Sequence, residues 1–402
     1  MVGTSKSTRR DYASRSVNPY LAAPRPRPPL AGVAHLSMED EMRLLLGAGL
    51  LALLLPTPAA AQERRPNVEI IGFSDFNFLT TERPLPDGFR SGQFAAHLGA
   101  ELTPRLGLFA EVTATPITPV QTGFNIEIER SILRYDFSDH FKLSAGRYHT
   151  PVGYWNTAFH HGQWLQTSVN RPEMVKFGGQ FLPVHFVGLL AEGSVGSGGL
   201  SVRYHAGIGN GRGTNIARGG DAGDVNPQRA WVLGLSVSPG TPRQLQIGAS
   251  AYGDRAPVAG LPVDERLFGG FFAWTAERPE IIAEYASVRH TQVGGAARAT
   301  SQAGYLQLAY RLPGGASAWK PYARYERVAV PANDPLLGAL GLDYRAVLGG
   351  VRFDFAPVAA LKAEYRREKP GGPRWFDTII LQVSFTFPRW QEEHASSEGV
   401  TP

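Results

Sequence analysis

The chain has no cysteine and only four methionines in 402 residues. The missing cysteine excludes disulfides, thiolate metal sites and cysteine nucleophiles. Long apolar runs are scarce as well. Beyond residue 65 no stretch reaches eighteen consecutive apolar residues, so the body of the chain offers no transmembrane helix. An excess of one charge is also lacking. The formal net charge is +5, but residues 1–61 hold seven basic and four acidic residues, which leaves +2 for the rest. A nearly neutral body gives no ground for a nucleic-acid partner.

What is abundant is glycine, at 46 residues, together with 21 Phe, 14 Tyr and 7 Trp. The N-terminal region stands apart. Arg43 is followed by an apolar core from Leu44 to Leu55 and a small-residue exit in which Ala59 and Ala61 fit a cleavage pattern. Residues 42–61 therefore read as a secretion signal, with Gln62 as the first mature residue. Residues 1–41 read as an extension outside the fold, and Met38 or Met42 as the expected translation start.

From Val68 onward apolar and polar residues alternate. Leu200, Val202, Tyr204, Ala206 and Ile208 fall on one side, and Ser201, Arg203, His205, Gly207 and Gly209 on the other. Period two is the strand period, because successive side chains point to opposite faces of a sheet. Short turn signals such as Ser138-Asp139 and Ala356-Pro357 alternate with longer connections rich in Gly, Pro and Asp. The spacing predicts about sixteen strands, from 67–79 to 375–387. The fold class is therefore all-β: a transmembrane antiparallel β-barrel over residues 62–387, with a polar tail at 388–402.

A soluble β-sandwich would alternate too, with its apolar face inward. Three features favour the membrane form. The signal directs the chain out of the cytoplasm, so the expected location is the bacterial cell outer membrane, with its lipid as partner. Trp231, Tyr252, Trp274, Tyr310, Trp319 and Tyr322 lie near strand ends, where interfacial girdles form. The last strand sets Ile379, Leu381, Val383, Phe385 and Phe387 against Gln382, Ser384 and Thr386, and resembles the assembly signal of outer-membrane barrels.

The alternation breaks at 150–184. This stretch is too long for a turn and too aromatic for a disordered loop: Trp155, Phe159, Trp164, Phe177 and Phe181 need something to pack on. It is expected to fold into the barrel and narrow the lumen. Just before it, Gly146-Arg-Tyr-His-Thr-Pro-Val-Gly153 follows a strand and resembles the Gly-x-x-x-x-Pro-x-Gly segment of the phosphate-selective porins. The resemblance implies a sixteen-stranded channel, commonly a homotrimer, with a loop folded into its lumen. Anion selectivity in that family depends on lumenal lysines and arginines that the motif does not align, so phosphate specificity is not carried over.

Expected lumen residues come from the polar rows and the loop: Glu127, Glu129, Lys142, Arg147 and Arg203 on strands, and Arg171 and Lys176 in the loop. Glu127 and Glu129 alternate with Ile126 and Ile128, and residues 130–134 shift phase, with Leu133 and Tyr135 in place of polar partners, as a bulge there would cause. His149, His160, His161 and His185 cluster around the loop. Imidazoles bind metals, but Glu173 is the only acid between residues 150 and 184 and the spacing matches no metal motif, so packing inside the constriction is expected, with no metal or other cofactor. No motif ties a serine or aspartate to a histidine as a barrel lipase or protease requires, so no catalytic residue is assigned. The expected activity is passive diffusion of small polar solutes or anions. A barrel enzyme and a plugged structural or adhesive barrel are the competing classes.

Overall fold

The computed structural model describes residues 67–118, 121–159, 161–176, 178–197, 199–240, 244–258, 261–387 and 390–391. The expected extension at 1–41, the expected signal at 42–61, His160 and all but two residues of the tail lie outside the described residues. Sixteen antiparallel staves follow in chain order. They are β1 (Asn67–Thr81), β2 (Gly88–Ser91 and Phe94–Glu101), β3 (Leu106–Thr118), β4 (Gln121–Ser138), β5 (Phe141–His149), β6 (His185–Ser197), β7 (Leu200–Asn210) and β8 (Ala230–Pro239). They continue with β9 (Leu245–Ala256), β10 (Val263–Trp274), β11 (Glu280–Gln292), β12 (Arg298–Ala309), β13 (Trp319–Ala329), β14 (Tyr344–Ala356), β15 (Ala359–Pro370) and β16 (Phe376–Thr386, resumed at Trp390–Gln391). Each pairs with its chain neighbour. Closure comes from β1, which pairs with β2 on one side and with β16 on the other, from Phe73↔Thr386 to Thr81↔Thr378. Closure leaves no unpaired edge to face lipid.

The sheet is inside out by the standards of a soluble protein. On β16 Thr378, Gln382 and Ser384 are buried, whereas Ile379, Leu381 and Val383 are exposed. On β13 Lys320, Arg324 and Glu326 are all at most 2% exposed, while Tyr325 is 44% exposed. Phe76, Ile126, Ile128, Leu233, Leu235, Ile247, Phe268 and Val347 also point outward. In water each such side chain would forgo about 1.5–3 kcal/mol of burial. The total would exceed the roughly 5–15 kcal/mol that holds a typical domain together. A hydrocarbon surround removes that cost.

Connections sort by end. Turns at 139–140 and 357–358 are short and lie at one end, with the start of β1. The segments 150–184, 211–229 and 330–343 lie at the other. Two of the expected girdle residues are corrected: Tyr252 and Tyr322 are 1% and 5% exposed and point inward. Tyr252 shares the parity of Ser250 and Asp254, and Tyr322 that of Lys320 and Arg324, so their faces follow the lumenal row. Among the described residues Tyr285, Tyr310, Trp319, Tyr325 and Tyr365 are the exposed tyrosines and tryptophan.

The interior has two sectors. Inward positions on β8–β12, among them Val232, Leu267, Ile282 and Val288, form one buried cluster with Val152, Trp155, Met174, Phe181 and Leu182 of the 150–184 segment. The adjoining wall, β13–β16, is mostly polar and charged. The loop fills the space between them.

Candidate functional site

Irregular backbone at membrane depth is tolerated only where its N–H and C=O groups find partners. The 150–184 segment finds them on the barrel wall. At its entry Gly153 has φ +75°, and a Cβ there would lie 2.1 Å from Glu284 Oε2. This close approach lets the Tyr154 and Trp155 N–H groups donate to the two Glu284 oxygens, each at 2.8 Å, and Tyr305 Oη donates to the same carboxylate. Trp155 is fully buried, with Phe159 at 4.6 Å and Tyr305 at 5.8 Å between ring centroids. A short helix, α1 (Trp155–Ala158), follows.

Further along, cations on the charged wall donate to loop carbonyls. Arg352 reaches the Trp164 and Gln166 oxygens at 2.7 and 2.9 Å, and Lys362 those of Gln163 and Ser168 at 2.6 and 3.1 Å. Arg324 donates to Ser168 Oγ at 2.7 Å, the Asn170 carbonyl at 2.9 Å, Gln307 Oε1 at 3.1 Å and Glu326 at 2.9 Å. Carboxylates answer from the same wall: Glu364 accepts from Val169 N–H and Glu326 from Glu173 N–H. The wall thus neutralises the loop's backbone, and the loop satisfies the wall's charges. Replacing Arg324 with Met is expected to destabilise the barrel by about 3–5 kcal/mol, because Glu326 and the loop oxygens would lose a buried partner. Urea unfolding in lipid vesicles measures this. Arg324→Lys should recover only part of the loss, since an ammonium lacks the guanidinium fork.

The expected site residues divide into three groups. His149, His161 and His185 come together with Glu129 and are all buried. His185 Nε2 lies 2.7 Å from Glu129 Oε2, and His161 Nε2 lies 3.7 Å from the same oxygen. A bulge, just before the expected 130–134, explains this. Glu111 pairs with Arg130 and Val112 with Ile128, so Glu129 is the extra residue on β4, and it turns inward together with Arg130. Arg147 packs beside them, bonded to Asp221 at 2.7 Å and to the carbonyl of Glu129 at 2.9 Å. Arg171 is a strut within the loop, donating to the Val175 oxygen and Asn156 Oδ1, both at 2.9 Å. Lys142, Arg203 and Lys176 face open space, and Glu127 is bonded by Arg218.

Open volume lies on both sides of the loop. Toward the short turns, one cavity of about 430 Å³ is lined by Lys142, Glu192, Arg203, His205, Gln246 and the loop's Tyr154. Another, of about 530 Å³, is lined by Glu69, Glu101, Arg130, Arg134 and Glu192. Toward the long loops, a cavity of about 270 Å³ is bordered by Arg83, Arg171, Lys176 and Arg366 with Glu173 and Glu368.

Sequence reasoning missed Glu111, Glu284, Arg324, Arg352 and Lys362. The same-parity charges of β13 and β15 were a usable signal: Lys320, Arg324 and Glu326 on one face, with Tyr322 between the first two, then Lys362, Glu364, Arg366 and Glu368, each two positions apart. A separate latch holds the 330–343 loop. His290 bridges Asp334 at 2.8 Å and Glu265 at 2.9 Å, and Ser301 Oγ donates to Asp334 at 2.6 Å. Burial works to raise the Asp334 carboxyl, but His290 and Ser301 hold it down at about 2.

Closed sheet, apolar exterior and a loop-narrowed interior rich in buried charge define an outer-membrane β-barrel of porin-like architecture. Among solved structures, the chain is similar to OmpT, an outer membrane protein of Vibrio cholerae, in a form lacking loop L8. The TM-score is 0.52 at 14% identity, covering 81% of this chain and 100% of that one. It is also similar to OmpF of Salmonella typhi in complex with daunomycin, with a TM-score of 0.50 at 11% identity, covering 80% and 97%. At such identities the likeness establishes the fold alone. No protein-family model matches the chain, and no curated protein matches it.

Proposed function

We propose that this chain is a porin-like channel that passes small polar solutes, anions preferentially, by passive diffusion through a lumen narrowed by residues 150–184. The observation that carries this reading is the placement of cavities lined in part by charged side chains on both sides of one inserted loop inside a closed barrel. Long loops face outside the cell and short turns face the periplasm. The outer cavity presents four cations and two carboxylates, which supports the preference for anions. The resemblance of Gly146–Gly153 to the phosphate-selective porins extends the proposal to a homotrimer.

The reading also weighs against a barrel hydrolase. The His290–Asp334 pair is buried, and Ser301 bonds the aspartate rather than the imidazole, so this trio is arranged to hold a loop. In planar bilayers the folded chain should give discrete ohmic steps, in threes if trimeric, and an anion-sided reversal potential in a salt gradient. A silent barrel would refute the channel and leave a plugged structural protein, and hydrolysis of a lipid or peptide substrate would favour an enzyme.

A further inference from the structure

The histidines at the roots of the constriction loop meet carboxylates that come from outside it. His149 ends β5, His185 begins β6, and the two are cross-strand partners. His161 arrives from the loop, Glu129 from the bulge of β4, and Glu111 from β3. The ligand atoms of Glu129, His149 and His185 lie within 4.8 Å of one another, as do those of Glu111, His149 and His161. All five residues are at most 7% exposed.

Charge and orientation separate the two carboxylates. Arg130 Nε holds Glu111 at 2.6 Å, and His97 Nε2 is also at 2.6 Å from it. Arg147, 3.8 Å from Glu129, is matched by Asp221 at 2.7 Å. The charge left facing the three imidazoles is that of Glu129, oriented by a hydrogen bond from Thr113 Oγ1 at 3.1 Å. Gln93 Oε1, at 2.6 Å, accepts from His161 Nδ1, which turns the Nε2 lone pair toward the carboxylates. Imidazole nitrogens and a carboxylate oxygen suit borderline divalent cations at about 2.0–2.2 Å, a reach that modest side-chain rotation supplies here.

We propose that His149, His161, His185 and Glu129 bind one divalent transition-metal ion, of the zinc, nickel or cobalt class, which ties both roots of the constriction loop to β4. The site differs from the sequence expectation because its acid comes from the wall and not from the loop.

The test uses the full barrel, folded in detergent, stripped with chelator and titrated with Co²⁺. The expected result is one equivalent per chain, with visible absorption bands of low-symmetry cobalt that Zn²⁺ abolishes. His149→Ala should weaken binding about 100-fold or more, while His140→Ala, on a short turn remote from the site, should not change it. Absence of binding to the wild-type barrel at tens of micromolar Co²⁺ overturns the proposal, and so does equal binding by His149→Ala. If that variant does not fold, wild-type protein can be modified with diethyl pyrocarbonate. Zn²⁺ should then lower the labelling of His149, His161 and His185 below that of the chelator-stripped barrel while leaving His140 unchanged, and labelling of the three that is the same with and without Zn²⁺ refutes the site. Neither readout depends on conductance, so the outcome is independent of the channel reading.

Discussion

Deletion of residues 155–180 is expected to raise single-channel conductance several-fold while leaving a closed barrel. The loop contributes no stave. Pairing of β5 with β6, from Lys142↔Glu192 to His149↔His185, lies wholly outside the deleted residues. What the deletion removes is the material between the apolar sector of β8–β12 and the charged wall of β13–β16. Among the wall groups that lose loop partners are Glu284, Arg324, Arg352 and Lys362; the first three keep Tyr305, Glu326 and Asp354, and Lys362 loses the carbonyls of Gln163 and Ser168. Stranding a charge in a dry interior costs several kcal/mol, but these groups would be rehydrated as water enters the widened lumen. Closed sheets of this strand number leave an aqueous channel when nothing fills them. Conductance equal to that of the full chain, in a variant that retains its barrel circular dichroism, would refute the constriction.

The barrel was legible because lipid and lumen impose opposite chemistry on successive residues. Ile379, Leu381 and Val383 against Thr378, Gln382 and Ser384 is a pattern written in sequence, and the structure realises it residue for residue. Tyr252 and Tyr322 show how that rule can be overridden wrongly. Position near a strand end suggested the membrane interface, but parity decides the face, and their parity was already readable. The apolar sector was also partly visible. Residues 230–235 read Ala-Trp-Val-Leu-Gly-Leu, apolar at both parities, which marks a strand covered on both faces. The histidine cluster was only half legible. His149, His161 and His185 are near one another in sequence, but Glu111 and Glu129 reach them through pairing between β3 and β4 and a one-residue bulge. A phase shift announces such a bulge without saying which side chains it brings together.

The outer cavity yields the second large effect. Arg171 is clasped inside the loop and Arg366 is buried against Glu364 at 3.1 Å, so the cations a passing solute meets are Lys176 and Arg83, whose side chains are 55% and 32% exposed. Each lies beside a carboxylate, Glu173 at 3.4 Å and Glu368 at 3.2 Å. Lys176→Glu changes the local charge by two units and Arg83→Gln by one, taking the cavity from net positive to net negative. A unit charge about 8 Å from an ion in water is worth about 0.5 kcal/mol. Three units amount to about 1.5 kcal/mol against an anion and as much in favour of a cation, which is roughly a hundredfold fall in the preference for anions before screening. Screening sets the conditions: the effect should be large at about 0.01–0.1 M salt and small at 1 M, where the Debye length is about 3 Å. Reversal potentials across a salt gradient measure it. The double variant should move toward cation selectivity at low salt with little change in conductance at 1 M. An unmoved reversal potential at low salt would mean that ions do not pass this cavity, and the path would have to be sought elsewhere in the lumen.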